Sequence, residues 1–456
     1  MALGESCPAE HTAYAALETL MRHRLGRECL YVPSCRLGLY VALRHWCPPG
    51  GRVLMSPVND DVIFFVVLAA GLRPVQAPLD ARDGSIDTAA VPESDWRGLS
   101  AVLTTNLYGN PDPAPELRAR CDALGIPLIE DAAHAIGSEV AGRPVGGFGD
   151  ASVFSLSKHV GAKTGGFLAV ADPGLRTALA KARDELLEPS RLTAELAYAL
   201  RPYAEAGVRG LRLVGAARAA LRLLGREERE EIRMPLRAGE LKRALGTAPG
   251  LAAFHPWVRV DMHDYRIRPG RTRLRRTERL LAGLDERLAA HRRGTERLLA
   301  TPWAAPGGER PGAGAGALGG EALGGEALGG EGLGGEGLGG EGPGSEGPGS
   351  EALGGEGPGS RAPVQPLFRV PLLVEDRDAA VAALARHRVT TGYLYDPPLD
   401  TYAGEVFTDP SPAPGPAAWF ARHALPVDPR LAGRVIAVLT ELGARPARLP
   451  GPGSGG

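Results

Sequence analysis

The chain has 456 residues, 44% of them apolar, enough for a large buried core and two or three domains. Its net charge of −1 gives no basic field for nucleic acid, and its longest apolar run, VIFFVVLAAGL at 62–72, is too short for the roughly 20 residues that span a bilayer. Five scattered cysteines without a C-x-x-C or a His/Cys cluster argue against a disulfide framework and a structural metal, and MALGESCPAEHTA lacks the basic start and apolar run of a secretory leader, so a cytoplasmic setting is expected.

In chain order, residues 1–185 alternate short apolar runs with helical patterns. RVLMSPV (52–58), PVQAPL (74–79), SAVLTTNLYG (100–109), PLIED (127–131) and VFSLS (153–157) predict strands, each bounded by Gly, Pro, Asn, Asp or Ser. Residues 36–46 and 114–124 predict helices, and 62–72 a core element. This is the βαβ pattern of an α/β domain with a mostly parallel sheet and flanking helices. Ligands in such sheets sit at the carboxyl ends of strands, where Asn106 and Asp131 fall. Residues 186–254 are rich in Ala, Leu and Arg and predict two or three inserted amphipathic helices. A long helix is expected at 275–299.

From Ala317 the chain runs through nine five-residue units, ALGGE to GPGSR, a period that matches neither helix nor strand. Two or three glycines in each unit make ordering costly, so residues 305–361 are expected to be a disordered acidic insertion. Eight glutamates and one arginine give residues 317–361 a charge of −7, leaving +6 for the rest of the chain. That mild excess suits a small anionic ligand. LFRVPLLV (367–374) then predicts a strand, 376–389 a helix, and 433–443 a closing helix. Residues 255–304 and 362–447 make a smaller C-terminal α+β domain, and 448–456 a flexible tail.

The stretch FSLSKHVGAKTGG (154–166) holds two lysines and a glycine pair. It is not a phosphate loop, because GAKT puts alanine before Lys163 where that motif needs glycine. Lys158 follows a short apolar strand, which can aim an amine inward for covalent chemistry; alone it reads equally as a solvated lysine at a strand end. In IEDAAHAIG (129–137), Asp131 at a strand end can partner a protonated pyridine nitrogen or cap a helix. His134 can touch the same ring or be a core histidine.

Taken together, IEDAAHAIGSEVAGRPVGGFGDASVFSLSK resembles the most characteristic segment of the nucleotide-sugar aminotransferases, fold-type I pyridoxal 5'-phosphate (PLP) enzymes of the DegT/StrS kind. The resemblance covers most of 30–170 and, more weakly, 256–300 and 362–445. It implies that Lys158, spaced correctly from Gly165-Gly166, is the Schiff-base lysine. Asp131 would partner the pyridinium, His134 would contact the cofactor, and Ser155 would bind its phosphate. Cys35-Arg36 stand where relatives carry Gly-Thr, and Arg36 can hold a phosphate in its place. Asp264, in HDYRIR, stands where a partner subunit lends an Asn, which implies a homodimer. Asp61 stands where relatives often stack an aromatic ring. The implied activity is transfer of an amino group, from glutamate, to a keto group of a nucleotide-linked deoxysugar. A cyclitol or other non-sugar ketone is the alternative acceptor, and a scaffold that has lost catalysis the alternative role. The related dehydrases replace the lysine with histidine, which this chain does not.

Overall fold

The computed structural model describes residues 8–190, 195, 233–259, 265–305 and 364–451. The described residues belong to one compact unit. The pentapeptide repeat and most of the inserted helices and of the tail lie outside the described residues.

Nine strands belong to the first half of the chain: β1 (Glu28–Val32), β2 (Arg52–Met55), β3 (Arg73–Gln76), β4 (Ala101–Thr105), β5 (Leu128–Asp131), β6 (Glu139–Val140), β7 (Arg143–Pro144), β8 (Ala151–Ser155) and β9 (Gly166–Val170). Seven of them form one sheet in the order β1-β9-β8-β5-β4-β2-β3, and β6 and β7 form a separate hairpin. β8, β5, β4, β2 and β3 pair in parallel, and β9 runs antiparallel to both its neighbours. The fold is therefore α/β with a mostly parallel sheet. β1 and β9 were not expected. β9 is buried at all five positions, so GFLAV shows no alternation to identify it.

The apolar run at 62–72 folds as the helix Asp61–Ala69, in which all nine residues are buried. Asp60 caps it, its side chain accepting the Val62 N–H at 3.0 Å. Phe65 stacks on Trp257 with centroids 5.7 Å apart, closing the outer side of this layer. The helix expected at 275–299 is two helices, Arg271–Ala282 and Leu284–Leu299, parted at Gly283. Glycine has the weakest hold on helical backbone after proline, and the break lets Leu281, Leu284 and Leu288 bury in one cluster with Leu17 and Met21.

The C-terminal part pairs β10 (Val370–Leu373) with β11 (Ala424–Val427), antiparallel. Helices Arg377–Arg386, Ala432–Leu442 and Leu284–Leu299 share its core through Leu298, Leu372, Leu384 and Leu439. Asp376 caps the first of these, accepting the Ala379 N–H at 2.9 Å. Among the described residues no helix is long and apolar enough to cross a membrane.

Candidate active site

The parallel strands end along one edge of the sheet, and their loops carry the reactive groups. β5 ends in Asp131, which is 5% exposed. Its Oδ1 accepts the Ala133 N–H at 3.0 Å and lies 4.0 Å from Cys35 Sγ. Burial pushes the Asp131 carboxyl up to about 6, reinforced by the Asp60 carboxylate and opposed by the Ala133 N–H and the Lys158 ammonium. Cys35 is raised well above an ordinary thiol by burial and then by Asp131, so it stays protonated.

Glu130 precedes Asp131 and therefore points to the opposite face of the sheet. It accepts the N–H groups of Gly146, Phe148 and Gly149 at 2.6–2.8 Å, so GRPVGGFGD folds around a buried carboxylate. Arg27 braces the same turn, donating to the Gly146 and Gly149 carbonyls at 2.6 Å each. This turn leads directly into β8 and so sets where Ser155 and Lys158 emerge.

Beyond Ser155 the chain reverses tightly into β9. The Leu156 N–H donates to the Gly165 carbonyl at 3.0 Å, and the Ala162 N–H to the Leu156 carbonyl at 2.9 Å. Gly165 takes φ +103°, which disfavours a side chain, and a Cβ on Gly166 would stand 2.4 Å from the Phe154 carbonyl oxygen and 3.1 Å from the Cys35 nitrogen. The glycine pair thus lets the helix Cys35–Trp46 start against the end of β8. Ser155 pairs with Gly166 in register, and its Oγ lies 2.9 Å from that of Ser157. Two hydroxyls and a helix start, capped by Ser34, meet there.

Arg36 is placed differently from Cys35. Its Nη1 donates to the Val258 carbonyl at 2.5 Å and its guanidinium lies 5.7 Å from the Tyr265 ring centroid. Asp60, not Asp61, acts on Asp131; Asp61 turns away and accepts the Met234 N–H at 2.8 Å. Asn106 serves the backbone, donating to the Asp131 carbonyl and accepting the Asp112 N–H, both at 3.2 Å. Asp264 lies outside the described residues. Lys163 is exposed.

The structure therefore gathers Lys158, Asp131, His134, Ser155 and Cys35, and adds an aromatic wall that the sequence reading missed. Lys158 Nζ lies 4.0 Å from the Tyr393 centroid and 5.4 Å from that of Phe368, and its charge acts on Asp131, Cys35 and His134. The His134 ring stacks on Phe368 at 5.0 Å and lies near-parallel to Tyr108 at 6.4 Å, and Tyr395 stacks on the far side of that array at 5.9 Å from Tyr108. Burial, then Lys158, holds His134 well below the usual imidazole range, so it is neutral. Phe368 is carried by a strap tied down by His159 Nε2 on the Pro366 carbonyl (2.8 Å) and His291 Nδ1 on the Leu367 carbonyl (2.9 Å). The tyrosines of NLYGN and YLYD were the available signal for this wall.

These residues fit PLP. A carboxyl raised by burial gains from a cationic ring nitrogen, a primary amine stands within its field, and the hydroxyls of Ser155 and Ser157 meet a helix start that suits a phosphate. Fold and site together define the class of lysine-based α/β PLP enzymes. The profile of the DegT/DnrJ/EryC1/StrS aminotransferase family matches residues 13–286, more than half of the chain, and the chain belongs to that PLP-dependent family. Over 134 residues it is 33% identical to UDP-N-acetyl-3-dehydro-alpha-D-glucosamine 3-aminotransferase of Acidithiobacillus ferrooxidans, a match covering 29% of this chain and 36% of that one. Over 183 residues it is 27% identical to dTDP-3-amino-3,4,6-trideoxy-alpha-D-glucose transaminase of Streptomyces venezuelae, covering 40% and 46%. The matches thus span a third to a half of these relatives' length. A solved DegT DnrJ EryC1 StrS aminotransferase from Brucella abortus shares the fold with a TM-score of 0.56 at 15% identity, over 94% of this chain and 90% of that one.

Proposed function

We propose that the chain is a PLP-dependent aminotransferase that moves an amino group from an amino acid, glutamate, to a keto group on a nucleotide-linked deoxysugar. The observation that carries this reading is geometric: the carboxyl edge of the sheet presents buried Asp131, and Lys158 Nζ lies against Phe368, the ring on which His134 stacks. The matched relatives support the acceptor class.

Bound there, the cofactor supplies an electron-withdrawing pyridinium ring that stabilises negative charge on an amino acid's α-carbon. Asp131 would pair its carboxylate with the protonated ring nitrogen. Ser155, Ser157 and the first turn of the Cys35–Trp46 helix would hold the phosphate. Lys158 Nζ would hold the cofactor, and its free amine would take and return the proton at the amino acid's α-carbon. His134, neutral and packed between Tyr108 and Phe368, forms one wall of the site and excludes water from it. A cytoplasmic homodimer, with Asp264 reaching the partner's phosphate site, completes the proposal.

The test is a pair of half-reactions on the full chain with PLP. Glutamate should bleach the yellow protein and release 2-oxoglutarate, and a keto-sugar nucleotide should restore the colour. A protein that takes up no PLP, or that glutamate never bleaches, contradicts the reading.

A further inference from the structure

The groups assigned to the cofactor lie at the carboxyl ends of β5 and β8 and in the segments after β1, β5 and β8. The two rings over Lys158 come from elsewhere, Phe368 from the strap before β10 and Tyr393 from the segment after the Arg377–Arg386 helix. They meet edge to face, with centroids 5.3 Å apart and planes at 76°, and so form a corner open to the reactive amine. Aromatic faces carry negative potential, which attracts the ammonium now over them and repels a carboxylate. The weakly positive C–H bonds on one face of a saturated sugar ring are favoured in this corner.

One residue, Tyr108, is bonded to both sides of the corner. Tyr108, 2% exposed, donates its hydroxyl to the Tyr393 carbonyl at 2.7 Å. Its own carbonyl accepts the Phe368 N–H at 2.8 Å and the Arg369 N–H at 3.1 Å. Arg369 adds a bond to the Phe368 carbonyl at 2.9 Å, with its guanidinium 4.2 Å from the Phe368 ring. Both Tyr108 and Tyr393 take left-handed backbone, φ +59° and +65°, a conformation that is costly in a non-glycine residue and persists only where surroundings impose it.

We infer that Phe368 and Tyr393 are the platform on which the acceptor's sugar ring packs, and that Tyr108 is the positioning residue that holds both rings to it. This rests on the nucleotide-sugar reading above. It makes Phe368 and Tyr393 specificity-determining residues that act on the acceptor.

The test is titration calorimetry of the full chain carrying pyridoxamine phosphate. The probes are UDP-N-acetylglucosamine, dTDP-glucose and GDP-mannose, each against its free nucleoside diphosphate. Tyr393→Ala should weaken the bound sugar nucleotide about tenfold, the worth of one aromatic contact, and leave the free nucleotide unchanged. Tyr393→Phe should match wild type, and Tyr108→Phe should show a smaller loss in the same direction. Phe368→Leu is the second variant, since it keeps an apolar side chain of similar bulk; it should weaken the sugar nucleotides and leave the free nucleoside diphosphates unchanged. Unchanged sugar-nucleotide binding in Tyr393→Ala and Phe368→Leu overturns the platform. So does a shifted cofactor absorption band without a change in sugar binding, which would assign the rings to the cofactor. Wild-type chain that binds none of the three sugar nucleotides refutes the acceptor class itself, and the platform with it.

Discussion

Asp131 offers a stability measurement that depends on the site's electrostatics alone. In the protein without cofactor its carboxyl is pushed from 3.8 to about 6, chiefly by burial. A carboxyl whose folded pKa is raised binds its proton more tightly in the folded state between about pH 4 and 6. Its contribution is fully present below pH 4 and is lost as pH rises through 6. Each unit is worth about 1.4 kcal/mol, so the ionised Asp131 costs the cofactor-free chain on the order of 3 kcal/mol at pH 8. Asp131→Asn keeps an oxygen for the Ala133 N–H and removes the charge. Urea unfolding of cofactor-free wild type and variant at pH 4 and pH 8 tests this. The variant should be more stable at pH 8 by about 1–3 kcal/mol, and the two should be nearly equal at pH 4. With PLP bound the order should reverse, because the ring nitrogen then offsets the charge that the variant lacks. A difference that does not change with pH, or a variant less stable than wild type at pH 8 without cofactor, refutes the reasoning.

Lys158→Ala should abolish the yellow colour and the glutamate half-reaction, and Lys163→Ala, at an exposed position, should keep both; absorbance spectra separate the two. Glu130→Ala leaves three buried N–H groups without their acceptor and should lower stability by about 3 kcal/mol or more, seen in thermal unfolding. Phe65→Ala, which empties the packing against Trp257, should cost about 3–5 kcal/mol by the same assay and leave the cofactor spectrum of the folded protein unchanged.

The parallel strands were legible because each is a short apolar run between turn residues, and their carboxyl ends pointed to Asp131 and Lys158. β9 and β1 were not, although β9 is buried at every position as β4 and β8 are. The helix break at Gly283 was hidden inside a pattern of good helix formers, where one glycine carries little weight. The glycine-rich turn was noticed before Lys158, but its cause, Glu130 turned to the opposite face, needed the three-dimensional path. The aromatic wall was the largest omission. Tyr108 lies 260 residues from Phe368 and 285 from Tyr393, and the bonds across that distance, from its hydroxyl and to its carbonyl, hold the rings near Lys158. Arg36 shows the converse: chemically suited to a phosphate, it is placed on Val258 and Tyr265 by the fold.

The central claim is that Lys158 is the amine that takes the cofactor. Borohydride reduction of the full chain incubated with PLP fixes the cofactor to whichever amine it has condensed with, and peptide mass spectrometry then locates it. The account predicts one phosphopyridoxyl group, on the peptide containing Lys158, at Lys158. A label at Lys163 or spread over surface lysines, or no label at all, would contradict it.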